Sequence, residues 1–377
     1  CAFMCLCVLA SCGVLHHECR KNMLTLAPAC AAIDLASIPT TTLPSGTELP
    51  MLYMGAGNLT TWVQLVGKGA GVKTAWGYKN QPSILPQVYA AGLKREDVFL
   101  ETMIPCGFVD HPAPMNASVA ADFIQQDLKL LNTSYVDLLA IHHRCNTPEE
   151  TSEVWSALEA ALERGDTKAI GVSNFDALDL AQLHAVAKKP IEVNEAHFAV
   201  GVMDRDTIAF AKAHNIQLIS FSSLSASVPM SNPVVAAVAK RHNKSNAAVM
   251  LKYVSSHGIS VLSSMPSNPE YATEDVGIFD FELTPTDISD LDAVQTGKRT
   301  CPDCFTEECQ ACAQALVELK CFPAAKMPAF GRRNPDSADC LSCAAKSNAT
   351  VMKTCAAQYM VEKACGQAGG FPHAHAA

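Results

Sequence analysis

From about residue 48 to 296 the chain repeats one unit, a short β-branched or apolar run followed by an amphipathic segment. That alternation is the pattern of βα units, in which each parallel strand needs a helical crossover to reach the next. The candidate strands are "LPMLYMG" (49–55), "GVKTA" (71–75), "VFLETMI" (98–104), "YVDLLAIH" (135–142), "TKAIGVS" (167–173), "IEVNE" (191–195), "IQLISF" (216–221) and "ISVLSS" (259–264). Eight strands predict a closed (β/α)8 barrel of the TIM type. The intervening "MNASVAADFIQQDLKLLN", "ETSEVWSALEAALERG" and "DRDTIAFAKAHN" end at Asn or Gly, as helix C-termini do. Trp155, at helical spacing, reads as core. Chemistry in such a barrel gathers at the C-terminal strand ends, where Lys73, Met103, His142, Ser173, Glu195 and Phe221 fall.

The ends of the chain follow other rules. Of 17 cysteines, six lie in residues 1–30 and nine in 301–365, leaving only Cys106 and Cys145 between. Residues 1–30 open with an apolar stretch of signal-peptide character, at about 15 residues too short to span a membrane comfortably. Residues 297–377 hold two blocks that each begin C-x-x-C and continue as an Ala-rich helix, which reads as a small helical, disulfide-rich module. Zinc is the competing reading, but the four residues between Cys304 and Cys309 are far shorter than a zinc-ribbon loop.

Sequons at Asn58, Asn116, Asn132, Asn243 and Asn348 exceed chance expectation and, with the cysteines, point to the secretory route; a cytosolic protein with reduced thiols is the alternative. With 28 basic against 37 acidic residues, net charge −9 and no basic run, the chain is not built to bind nucleic acid.

The segments "TAWGYKN", "GLKREDVFL", "YVDLLAIHH", "WSALEAALERGDTKAIGVSNFD", "EVNEAHF", "AFAKAHNIQLISFSSL" and "NPEYATEDVGIFDFELT" occur in an order and spacing that resemble the aldo-keto reductase family over residues 48–296. The resemblance implies a barrel that binds an extended NAD(P) and reduces a small carbonyl substrate, with a tyrosine acid assisted by histidine, lysine and aspartate. By position Tyr78 matches the tyrosine and His142 the histidine. Lys73 stands where the family has aspartate, and Met103 where it has lysine.

On the cofactor side, Ser173 and Asn174 match the residues that hold the nicotinamide carboxamide, and Glu195 replaces a glutamine there. Phe221 stands where a tyrosine stacks on the ring, and Ser222, Leu224 and Glu274 match pyrophosphate- and adenine-side positions. The phosphate-binding lysine and arginine align with Met265 and Tyr271, so NAD is favoured over NADP. Two readings of Lys73 stand open. It forms a buried pair with Glu101, which shares Met103's strand face, or it activates Tyr78 in place of the missing lysine.

His142 and His143, adjacent on a strand, should face opposite ways, and no metal site is expected. The substitutions favour a protein with weak or lost reductase activity and a secreted binding or structural role, its cysteine-rich tail meeting a protein partner. The alternative is an active, NAD-preferring oxidoreductase with Tyr78 as acid.

Overall fold

The computed structural model describes residues 38–294, apart from 56–57, 112, 225–227 and 264–268. The segments 1–30 and 297–377, with Asn348 and their cysteines, lie outside the described residues, as does Met265.

The chain enters through a hairpin of β1 (Thr40–Thr42) and β2 (Glu48–Pro50), paired antiparallel. Eight parallel strands follow: β3 (Leu52–Met54), β4 (Ala70–Lys73), β5 (Val98–Ile104), β6 (Val136–Ile141), β7 (Thr167–Ser173), β8 (Val193–Ala196), β9 (Gln217–Ser220) and β10 (Ser260–Ser263). They neighbour one another in chain order, and β10 closes on β3. The expected barrel is therefore present. The first candidate strand is not one strand: residues 49–50 pair with β1, and the chain bends at Met51 before β3 begins. Pro50, which has no N–H to donate, sits at that break.

The hairpin's Leu43 and Leu49 pack with Phe99, Leu138, Ala169, Val193 and Ile219 from the early part of the strands, filling the barrel's N-terminal end with apolar side chains. Gly71 permits a close approach there, since a Cβ on it would meet the Cβ of Tyr53 at 2.2 Å. The interior thus tolerates no side chain at 71 without moving β3. Toward the other end the filling turns polar. Lys73, Glu101 and Glu195 are buried on three strands, beside an apolar group of Ala75, Met103 and Ala140.

Helices form where the patterns put them. Pro148–Arg164 buries Val154, Trp155 and Leu158, is capped by the Thr147 hydroxyl and ends at left-handed Gly165, with φ 81°. Asn132 and Asn215 adopt left-handed backbone after their helices in the same way. No helix among the described residues is long and apolar enough to cross a membrane.

Candidate active site

Each functional side chain reaches the rim by a different local device. After β4 the chain makes a single 3-10 turn, Trp76–Tyr78, closed by the Tyr78 amide donating to the Ala75 carbonyl at 2.9 Å. Trp76 packs edge-on against Phe123, and the Lys79 ammonium lies 4.3 Å from the Trp76 ring centre. That turn sets the Tyr78 and His142 rings edge to face, with ring centres 5.8 Å apart. The expected tyrosine and histidine therefore meet. Tyr78 leaves 43% of its surface exposed, but burial around the phenol raises its pKa above the ordinary value; Lys73 pulls it down, while Glu195, Glu101 and Asp110 push it further up.

Lys73 does not pair with Glu101, although the two are register partners on β4 and β5. It crosses the mouth of the barrel to Glu195 on β8, forming a buried ion pair in which both side chains are 2% exposed. Burial opposes the charge on Lys73, but Glu195, Tyr78 and Glu101 outweigh it and hold the ammonium pKa above its usual value.

Glu101 takes another partner, accepting a hydrogen bond from the Tyr53 hydroxyl at 2.6 Å. Burial first, and then the neighbouring Glu195 charge, push its pKa up to about 8 against the pull of Lys73. Burial favours the neutral form of Glu101, which keeps the Tyr53 hydroxyl, while Glu195 takes the Lys73 ammonium. Glu101 lies within hydrogen-bonding reach of Glu195, and Glu101 Oε1 and Glu195 Oε2 are the two carboxyl oxygens there without another partner.

Met103 is fully buried against Ala75 and Ala140. It gives Tyr78 neither a charge nor a proton relay.

His142 and His143 depart from the expected opposite orientation. β6 ends at Ile141, so strand alternation no longer governs them, and both rings turn to one carboxylate. Asp110 Oδ2 lies 2.6 Å from His142 Nδ1 and 2.9 Å from His143 Nδ1. Burial works against ionised Asp110, but the two histidine hydrogen bonds outweigh it and hold its carboxyl well below the usual range. Burial lowers the His142 pKa, partly offset by Asp110. Asp110 was not legible as a site residue. It sits in the short helix Gly107–Asp110 after β5, outside any periodic pattern.

At the ends of β7 to β9, Asn174 and Ser222 hold left-handed backbone, with φ of 63° and 55°. Asn174 Nδ2 donates to the His142 carbonyl at 2.9 Å and to Ser173 Oγ at 3.0 Å. Phe221 is half-buried, its ring centre 6.0 Å from that of His197. The Ser222 backbone holds His197, which burial keeps neutral with a pKa of about 4. Leu224 follows in the same turn; Glu274, half-buried, lies on the helix Pro269–Val276 beyond β10, and Tyr271 on that helix is 51% exposed.

These residues suit a nicotinamide in part. Phe221 offers a ring to stack on, and Asn174 keeps its Oδ1 to accept from a carboxamide. Glu195, the other expected carboxamide partner, is committed to Lys73 through Oε1 and buries Oε2. When bound, the dinucleotide would supply a hydride to the carbonyl carbon.

A closed parallel barrel with a tyrosine and histidine in contact at its C-terminal rim is the arrangement expected of the barrel reductases. The family described as "Aldo/keto reductase family" matches residues 72–296, and the chain belongs to it. Similar curated proteins include "Uncharacterized oxidoreductase YtbE" of Bacillus subtilis (strain 168), 29% identical over 70% of this chain and 95% of that protein. "Glyoxal reductase" of the same organism is 28% identical over 70% of this chain and 95% of its own length. Among solved structures, an aldo/keto reductase from Brucella melitensis is 25% identical with TM-score 0.62, covering 68% of this chain and 99% of that one. An aldo-keto reductase (AKR2E5) complexed with NADPH shares the fold at 23% identity and TM-score 0.63, over 70% of this chain and 90% of that one.

Proposed function

We propose that this chain is an aldo-keto reductase-family protein in which carbonyl reduction is weak or lost, and which serves as a secreted binding or structural component. One observation carries this reading: Met103 fills the lysine position with a buried apolar side chain, while the substitute cation, Lys73, is bound to Glu195. Hydride arriving at a carbonyl builds an oxyanion that a positioned acid must protonate. Tyr78, with its pKa raised rather than lowered, is poorly matched to that task near neutral pH.

On the cofactor, the site favours NAD over NADP, because Tyr271 offers no cation to a 2′-phosphate where the family has arginine. The secretory assignment draws on the cysteine-rich ends and on the Cys106–Cys145 disulfide, which joins the only two cysteines of the barrel segment. The cysteine-rich tail is the candidate contact for a protein partner.

A second reading has its own support. The Lys73 charge acts on Tyr78, and Tyr78 touches His142, so an NAD-preferring reductase of small aldehydes or ketones could run on this pair. Titration of the full-length protein with NADH and NADPH, followed by initial rates over a panel of small aldehydes and ketones, separates the two. The first reading expects weak dinucleotide binding, tighter for NADH, and no saturable turnover. Saturable turnover by the unmodified protein overturns it.

A further inference from the structure

Asp110 and His143 have no part in the reading above, yet with His142 they bring two imidazoles and a carboxylate together. We propose that Asp110, His142 and His143 form a three-ligand site for a divalent transition-metal ion of the zinc class, clamped by the Cys106–Cys145 disulfide.

The ligand atoms, Asp110 Oδ2 and the two Nδ1 atoms, all lie within 4.8 Å of one another, with the oxygen 2.6 and 2.9 Å from the nitrogens. A tetrahedral zinc ion with bonds of about 2.0–2.1 Å sets its ligand atoms about 3.3 Å apart. Opening the oxygen–nitrogen contacts by about 0.7 and 0.4 Å therefore admits the ion in place of the two shared protons. The side chains are 14%, 14% and 17% exposed, shielded enough to hold an ion yet reachable from solvent. Imidazole with carboxylate is a zinc-class donor set, and three protein ligands leave a fourth position for water or a substrate oxygen, as in open sites. That position would lie near Tyr78, whose ring already meets His142.

The clamp is the second, independent observation. The ligands come from two segments, one following β5 and one following β6, and these are locked together beside the ligands. Cys106 bonds to Cys145 with Cα atoms 4.9 Å apart, and the His142 amide donates to the Ile104 carbonyl at 3.0 Å. At Gly107, with φ 72°, an added Cβ would meet the Arg144 carbonyl oxygen at 2.1 Å, so the two segments touch backbone to backbone. Ligands held this way lose little freedom when an ion binds.

The test uses the full-length protein, stripped by a chelator and titrated with Co(II) as a spectroscopic probe and Zn(II) as competitor. Cysteines and histidines elsewhere in the chain can also take metal, so the readout is a difference between proteins. His143→Ala and Asp110→Asn should each lose one bound ion, or weaken it at least about tenfold, the cost that even an outer-shell change imposes. The ion lost should lack the thiolate charge-transfer bands of cysteine ligation. Cys106→Ala/Cys145→Ala should weaken the same ion. Should a variant misfold, anomalous diffraction at the zinc edge from crystals of the unmodified protein decides: a peak about 2.0–2.2 Å from all three ligand atoms supports the site. Unchanged stoichiometry and affinity in folded variants, or no peak there in zinc-saturated crystals, overturns it and leaves the trio a hydrogen-bond network.

Discussion

Glu101 holds its proton more tightly in the folded protein than in the unfolded chain, and that proton has a consequence for stability. Glu101 keeps it up to about pH 8 in the folded protein, whereas in the unfolded chain it is lost near 4.5. Between those values the folded state binds the extra proton, so stability falls as pH rises. His197, lowered to about 4 from 6.5, adds the opposite slope below 6.5, which leaves pH 6.5 to 8 as the window where Glu101 acts alone of the two. Denaturant unfolding across that window should show stability falling by up to about 1.4 kcal/mol per pH unit. Glu101→Gln should flatten the slope; a slope unchanged by the substitution would contradict the raised Glu101 carboxyl. Strand periodicity alone placed Lys73 and Glu101 side by side on inward faces. It could not reveal that Lys73 pairs across the barrel with Glu195, because alternation gives a side chain's face but not its partner among several inward groups.

Helix ends give three of the sequon asparagines a structural task. Asn116 caps the helix Ala117–Leu131 by accepting from the Val119 amide, and Asn132 and Asn243 end helices in left-handed backbone, with φ of 54° and 52°. Capping explains these asparagines whether or not they carry glycans. Asn132→Ala should therefore lower unfolding stability by about 1 kcal/mol through left-handed strain, while Asn132→Gly should not. Equal losses in the two variants would show that the cap matters for its side chain alone. Elements were the most legible level of the chain: β5 and β7 span residues 98–104 and 167–173 as the apolar runs predict. Strand ends were less so. Where β6 stops at Ile141, alternation stops with it, and His142 and His143 converge on an aspartate that lies in a short helix without periodic signal.

For the molecule as a whole, closure of the barrel follows from the ordered βα repeat, in which each crossover carries one strand to the next until the last meets the first, whereas the family was legible only in the seven motif segments. The disulfide adds a tether 39 residues apart in sequence. Peptide mapping without reduction should recover Cys106 joined to Cys145, and Cys106→Ala/Cys145→Ala should cost about 2–4 kcal/mol of stability. Neither the bond nor the ion-pair exchange at the rim could be read from spacing, since both depend on which loops touch. On the proposed function, the Lys73–Glu195 pair and Met103 hold carbonyl reduction down. Restoring the family's residues at 73 and 103 alone would leave Glu195 facing a new carboxylate, so the deciding protein is the triple variant Lys73→Asp, Met103→Lys, Glu195→Gln. The measurement is kcat/KM for a small aldehyde with NADH and with NADPH, in the unmodified protein and in this variant. Turnover should be near background in the first and at least about a hundredfold higher in the second, within the range that one positioned acid contributes. Efficient turnover by the unmodified protein, lost in the triple variant while its fold and dinucleotide affinity persist, would contradict the proposed function.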